Sequence, residues 1–556
     1  MAPAVVSPAV AASSAPAACD GPLATARSLG TSAADVRAGV LSLFGSSVPV
    51  DPTAINLSVS PIASAPWKLW YHSLVWLVPL AVRSYQDGDA TDATVVADYV
   101  AAAVRTAPDP GSGTAAALAA ARRSGWDEAA ITQREYVLDC LLQMQPDENV
   151  SSLLDATIEA NLDARRYYGR PLHRVHNHGL MANIALIESG EILGRPELID
   201  AAQTRLVRDM AIVRDPQCGM VYEQSAAYQN VNAVLWARAA DRLEAAGRTG
   251  VVASVRATAA HMRSAFPHLV TPDGTLAAVG DSNPIAGFVL PTQGVARMLC
   301  RGAGWAAGRT SWTPAATHYT LRFGPARAMH GHSDHGSVTW WPGESVLVDA
   351  GYYYDRSTAL GRYATSNAAH NVLGMAGAEF SGSTALIRAS WRTRADTYTV
   401  RDRNALAART RSVRIERGLP VMIVLDRATS SATRLFAQRW HLAPGWRRTA
   451  TEGIARKGQA TAGIVALDLH TGRLLPTATR SAYVFPTSRT TTTGLVLSAR
   501  MRARSVSIAT VVYRSTTGAR PVVRWLPGAV TGTGTLRVWW GRQFRDVRID
   551  RTGIIG

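Results

Sequence analysis

Within Ala328-Met-His-Gly-His-Ser-Asp-His-Gly-Ser337, three histidines and an aspartate (His330, His332, Asp334, His335) fall in six residues. A strand-like run ending at Asp349 follows, then Ser366-Asn-Ala-Ala-His370-Asn. Five of the chain's 13 histidines lie between residues 318 and 370, and His173, His176 and His178 share one further six-residue window. Clustering of this kind points to metal ligation or proton transfer. In an extended segment His330 and His332 share one side. An antiparallel return would bring Asp349 beside His332, and His370 would supply a third ligand. Two imidazoles and a carboxylate suit zinc or a similar divalent ion. The spacing is no short zinc signature, and a plain alternative stands beside it: Asp349 caps a turn and His370 is a satisfied loop histidine.

Upstream, Asn177 and His178 are expected at a helix N-terminus, where amide groups and the dipole attract anions. Asn177 reads equally well as an ordinary N-cap. In Met220-Val-Tyr-Glu-Gln-Ser-Ala-Ala-Tyr-Gln-Asn230, Ser225 caps the following helix and Tyr228 projects one turn in. Packing is the commoner role for such a tyrosine.

The elements that must position these residues fall into two textures. From about residue 26 to 305, apolar residues recur at three- and four-residue spacing. Helices are predicted over 33–44, 66–84, 91–106, 114–123, 127–144, 149–167, 178–194, 196–213, 225–246, 249–265 and 285–301. Short Gly/Pro/Asp connections between them suggest stacked antiparallel pairs, a solenoid or an α/α ring. After Trp312, β-branched and aromatic residues alternate with charged ones and turns recur, as in an antiparallel β-sandwich. The expected division is a tail over 1–25, a helical domain over 26–312 and a β domain over 313–556.

Composition narrows the function classes. Hydrophobic residues make up 47% and charged residues 18%, within the globular range, and the formal net charge is +17. A dispersed positive field favours an anionic partner. No zinc finger, RNP-type aromatic motif or basic helix is present, which argues against nucleic acid. The four cysteines (19, 140, 218, 300) are widely spaced and signal neither a disulfide framework nor a thiolate site. The first residues make no clear signal peptide; they read as a disordered tail or the remnant of an export signal. Trp67 to Val82, the most apolar stretch, is too short and interrupted to span a bilayer, so no membrane insertion is expected.

Taken together the motifs resemble the heparinase II/III-like polysaccharide lyases, a family that includes alginate and heparan sulfate lyases. The resemblance rests on Trp67-Lys-Leu-Trp-Tyr-His-Ser-Leu-Val-Trp-Leu, His176-Asn-His-Gly, Glu223-Gln-Ser-Ala-Ala-Tyr228 and Val279-Gly-Asp-Ser. It continues through His330-Gly-His-Ser-Asp-His-Gly-Ser, Leu347-Val-Asp-Ala-Gly-Tyr, Ser366-Asn-Ala-Ala-His-Asn and Gln438-Arg-Trp-His441-Leu. It implies an incomplete (α/α) toroid followed by an antiparallel β-sandwich. It also implies β-elimination on a uronic-acid-containing polysaccharide or oligosaccharide. Asn177 and His178 match the positions that neutralise the uronate carboxylate, and Tyr228 and His330 match the catalytic tyrosine and histidine. His332, Asp349 and His370 match the metal ligands, expected to hold a structural zinc. Arg174, Glu223, Arg439 and His441 are the candidates for contacting sugar.

The sequence leaves base and acid open. Tyr228 is favoured as the acid, and also as the base where elimination is syn, provided a nearby cation lowers its pKa from ~10. Asp334-His335-Gly departs from the family's usual arrangement, so the resemblance does not fix subsite geometry. Two other readings remain: a metal-dependent glycan hydrolase, and a non-catalytic protein that binds acidic glycans. A secreted or cell-surface location is expected, and a homodimer is compatible with the sequence.

Overall fold

The computed structural model describes residues 15–52, 55–111, 114–168 and 175–555. His173 and Arg174, and most of the expected N-terminal tail, lie outside the described residues. The chain forms two compact units. One runs to Ile212 and includes Leu235–Arg256; the other comprises Val213–Val234 and the chain from Ala257 onward.

The first unit is helical. Successive helices pack in pairs: Val78–Asp87 with Ala90–Thr106, Glu128–Met144 with Glu148–Leu162, and Asn177–Leu193 with Pro196–Asp209. Their ends follow from local chemistry. Asp89, Asp127 and Asp147 each accept hydrogen bonds from first-turn amides. Gly88 and Gly194 take the left-handed conformation that closes a helix at low cost. A disulfide joins Cys19 to Cys140 inside this unit.

The second unit is layered. A four-stranded and an eleven-stranded sheet, both antiparallel, enclose one core around Tyr319, Trp340, Val413, Val424 and Trp440. The other face of the large sheet packs Val421, Ile423, Val511 and Tyr513 against a three-stranded sheet through Leu536, Val538 and Val547. Strand Val421–Leu442 therefore begins as a continuous apolar run: Met422 and Val424 point into one core, Val421 and Ile423 into the other.

Several expectations need correction, among them the helix over 33–44, which stops at Arg37 because Val40–Leu43 pairs as a strand with Ser46–Pro49. Residues 285–301 are not a helix; they end in the strand Arg297–Cys300. Gly287, Pro291 and Gly294 break the apparent periodicity, and Arg297-Met-Leu-Cys alternates in burial as a strand does. The cysteines also pair, Cys218 with Cys300 as well as Cys19 with Cys140, across sequence separations of 82 and 121 residues. Such spans leave no local spacing to read. The composition change near 312 lies later than the unit boundary. Met220, Leu269 and Val279 share a core with Met298, Cys300 and Trp305, which draws 213–234 and 257–312 into the sheet unit.

Candidate active site

Tyr228 and His330, distant in sequence, stack face to face in the second unit. Their ring centroids are 3.4 Å apart and the planes differ by 10°. Tyr228 lies in the first turn of helix Ala226–Ala245. That turn is capped from two segments: the Ala227 amide donates to Ser282 Oγ (2.8 Å), and the Tyr228 amide reaches Ser225 Oγ at 3.5 Å. Ser225 Oγ in turn donates to the Asp281 carbonyl (3.0 Å), and the Asp281 amide donates to the His330 carbonyl (2.8 Å). The tyrosine, aspartate and histidine segments are thus tied backbone to backbone.

Gly280 makes this crossing feasible. Its φ is +68°, and a side chain there would collide with the carbonyls of Gln224 and His330. Gln224 and Met329 hold positive φ themselves, at 62° and 49°, so the crowding is absorbed as backbone strain beside the reactive rings.

Asp281 is the hub. Its Oδ2 accepts from His330 Nδ1 (2.9 Å) and Arg356 (2.7 Å), and its Oδ1 pairs with His332 Nε2 (2.9 Å). Burial alone would raise this carboxyl. The hydrogen bonds from both imidazoles and the charge of Arg356 outweigh burial and hold it well below the usual carboxylate range. An ionised Asp281 fixes a proton on His330 Nδ1, and the other ring nitrogen, Nε2, lies 3.5 Å from Glu223 Oε2.

The environment of Tyr228 is the reverse of the one expected. Burial pushes the phenol well above its usual value, and the charges of Asp281 and Glu223 add to that, with Arg356 opposing. The hydroxyl is held as a proton donor. Tyr352, also raised by burial and by Asp281, lies in the same electrostatic neighbourhood.

The histidine–aspartate triad also assembles. Ligand atoms of His332, Asp349 and His370 all lie within 4.8 Å of one another, and all three residues are buried. His370 Nδ1 pairs with Asp349 Oδ2 at 2.7 Å. His332 Nδ1 and His370 Nε2 are buried without a hydrogen-bond partner. Two orphaned imidazole nitrogens beside a carboxylate are a donor set that fits a divalent ion. Asn371, adjacent to His370, bonds the carbonyls of Val338 and Val348 and so locks the loop.

The remaining candidates disperse. Glu223 is buried, its Oε1 accepting from Asn232 Nδ2 (2.6 Å), so it serves the site's interior rather than presenting itself to sugar. His441 is 1% exposed beside Asn371 and is pushed down to about 3, chiefly by burial; a sugar contact there is not supported. Arg439 is half-buried with its pKa lowered by burial, and lies near Arg500, Glu379 and Tyr363. His335 and Asp334 are structural: His335 Nε2 bonds the Pro325 carbonyl (2.8 Å), and Asp334 lies 3.8 Å from buried Arg322.

In the first unit, Asn177 opens helix Asn177–Leu193, and the cap is His176, whose Nδ1 accepts from the His178 amide (3.3 Å). Asn177 is therefore not the N-cap, and its side chain is buried. Asp281 and Arg356 were missed as site residues. Asp281 lay in plain view inside the Val279-Gly-Asp-Ser motif, whose conformationally demanding glycine was the available signal.

Residues 299–526 match the family "Heparinase II/III-like, C-terminal". The matched stretch lies in the second unit and covers less than half of the chain. No curated protein matches it in sequence. Among solved structures, heparinase III superposes with a TM-score of 0.72 at 13% identity, covering 88% of this chain and 84% of that one. Heparan sulfate lyase HepC from Pedobacter heparinus gives 0.59 at 15% identity, over 94% and 89% of the two chains. The Streptomyces coelicolor A3 chondroitin AC lyase, solved in complex with chondroitin sulphate, gives 0.54 at 11% over 94% and 85%. These likenesses establish the fold of this chain: an incomplete (α/α) toroid followed by an antiparallel β-sandwich.

Proposed function

We propose that this heparinase II/III-like polysaccharide lyase cleaves a uronic-acid-containing anionic polysaccharide by β-elimination. The observation that carries the reading is the stacked Tyr228–His330 pair, anchored by Asp281. In the proposed step, neutral His330, its Nδ1 proton held by Asp281, takes the C5 proton at Nε2. The C5–H electron pair becomes the C4–C5 double bond as the C4–O4 bond breaks. Tyr228 gives its phenolic proton to O4, and solvent exchange resets both groups. The C5 proton leaves only if the uronate's charge is quenched, since the carbanion must spread into the carboxylate. The family pattern gives that task to Asn177 and His178.

His332, Asp349 and His370 are proposed to hold a divalent ion, zinc by donor type. Bound there, it would neutralise Asp349 and pin the loops that carry His332 and His370. The residues' own contribution is orientation: His332 passes its Nε2 contact to Asp281, which aims His330. Both pairs of cysteines being joined supports a secreted or cell-surface location, where disulfides persist.

The test is a panel of alginate, heparan sulfate, chondroitin sulfate and bacterial uronides, followed by ultraviolet absorbance of the unsaturated product. Tyr228→Phe and His330→Ala serve as controls. Saturated reducing ends in place of the chromophore, lost on chelation, would instead indicate a hydrolase.

A further inference from the structure

A groove of about 540 Å³ in the second unit is walled by Arg301, Arg401 and Arg403, with Ser383 and Thr384 between them. The three arginines are exposed, and none has a carboxylate partner among the described residues. The one acidic side chain on the lining, Asp402, is already committed: it pairs with Arg409 (Nε to Oδ1, 2.9 Å) and accepts from Thr384 Oγ1 (3.2 Å). Alternation in strand Ala395–Arg403 puts Arg401 and Arg403 on one face while Asp402 turns inward. The groove therefore presents uncompensated positive charge on a concave surface.

Its position ties it to the reactive pair. Pro325 lines the groove, and its carbonyl accepts from His335 Nε2 (2.8 Å) and Gln224 Nε2 (3.4 Å). Gln224 also donates to the Ala326 carbonyl (2.8 Å). The segment that walls the groove thus leads within a few residues to His330. At groove-lining Gly302 the backbone amide donates to Asp215 Oδ2 (2.9 Å), so that carboxylate is committed to the backbone, as Asp402 is to Arg409. Glu223 turns to the interior beside His330. Arg327, which lies between Pro325 and His330 in the sequence, is an electrostatic neighbour of Arg356 and Asp281.

We propose that this groove is an accessory binding site for a further stretch of the same anionic polysaccharide chain. Arg301, Arg401 and Arg403 would take its carboxylates or sulfates. The occupant's identity rests on the lyase reading above; the existence of an anion-binding groove does not. A linear polyanion suits it because three exposed guanidinium groups from two chain segments, without carboxylate partners among the described residues, match a run of charges better than a compact ion.

The test measures binding, not turnover. Tyr228→Phe protein, with and without Arg301→Ala, Arg401→Ala and Arg403→Ala combined, is titrated with short and long heparan sulfate and alginate fragments at several salt concentrations. Single-stranded DNA is the control polyanion, and circular dichroism verifies the fold. The expected result is that long fragments bind more tightly than short ones, and that the triple substitution removes the advantage. The log–log salt slope for long fragments should fall by about one per arginine lost, as for other linear polyanions. An unchanged length preference in a folded triple variant overturns the proposal, as does DNA binding more tightly than either polysaccharide through the same arginines. Because the readout needs no chromophore, loss of the lyase reading and loss of the groove would register separately.

Discussion

His330 and His370 each turn Nδ1 to an aspartate, at 2.9 Å and 2.7 Å, yet their surroundings differ. The His330 ring is 18% exposed, lies against a phenol and shares its aspartate with Arg356 and His332. The His370 ring is fully buried, and its free Nε2 faces two other donor groups with no partner of its own. One histidine–aspartate pair is built with a reachable face beside a proton donor; the other is sealed within a ligand set. The same dyad therefore suits proton transfer in one place and ion holding in the other, and what differs is access.

That contrast can be broken by experiment. The largest effect expected is on Tyr228→Phe, which removes one oxygen and keeps the ring against His330. Turnover should fall by about 10²–10⁴-fold, the usual scale for a lost acid or base, with the thermal midpoint held. Turnover near the parent's would remove Tyr228 from the chemistry. Next is Asp281→Asn, which touches both regions through one side chain. A loss of roughly 10–100-fold is expected in activity and in divalent-ion affinity together, measured by turnover and elemental analysis. A loss of activity with full ion retention would show that the two regions work separately.

Stability should split the pairs in the opposite sense from activity. His370→Ala strands the buried Asp349 carboxylate and should cost about 1–3 kcal/mol in urea denaturation. His330→Ala should cost less, because its ring is partly exposed and Asp281 keeps Arg356 and His332. The smallest effect is alkaline. The Tyr228 pKa is raised in the folded chain, so its stabilisation is complete below the free phenol's value of ~10 and is lost as pH rises beyond it. Tyr228→Phe should make the decline of stability above that pH shallower; an identical slope would mean the phenol is less buried than described.

Much of this was legible. The change from helical to alternating texture led to the observed fold because it is a local pattern with a physical period; Tyr228 and His330 were singled out together only through the family resemblance, since the tyrosine's own segment favours packing. What was not legible depends on long-range closure. Asp281 looks like any loop aspartate until Ser225, His330 and His332 converge on it. The helix expected over 285–301 failed because a short strand and two glycines can imitate helical spacing over one window. Tyr228 was expected to need a neighbouring cation; of the carboxylates that raise its pKa, Asp281 was hidden by sequence distance, while Glu223, five residues away, read as a sugar contact. His441 was motif-adjacent yet buried, since the strand that carries it runs through the core.

Gly280 carries a consequence for anyone seeking to re-engineer this protein. Because the carbonyls of Gln224 and His330 close over a position with no room for even a methyl group, the stacked Tyr228 and His330 rings are spaced before any ligand arrives. Shifting one would drag the other, so that distance is a poor handle for selection. Altered preference for one glycan over another should arise instead at the periphery, in surface loops whose sequence can drift without disturbing the knot.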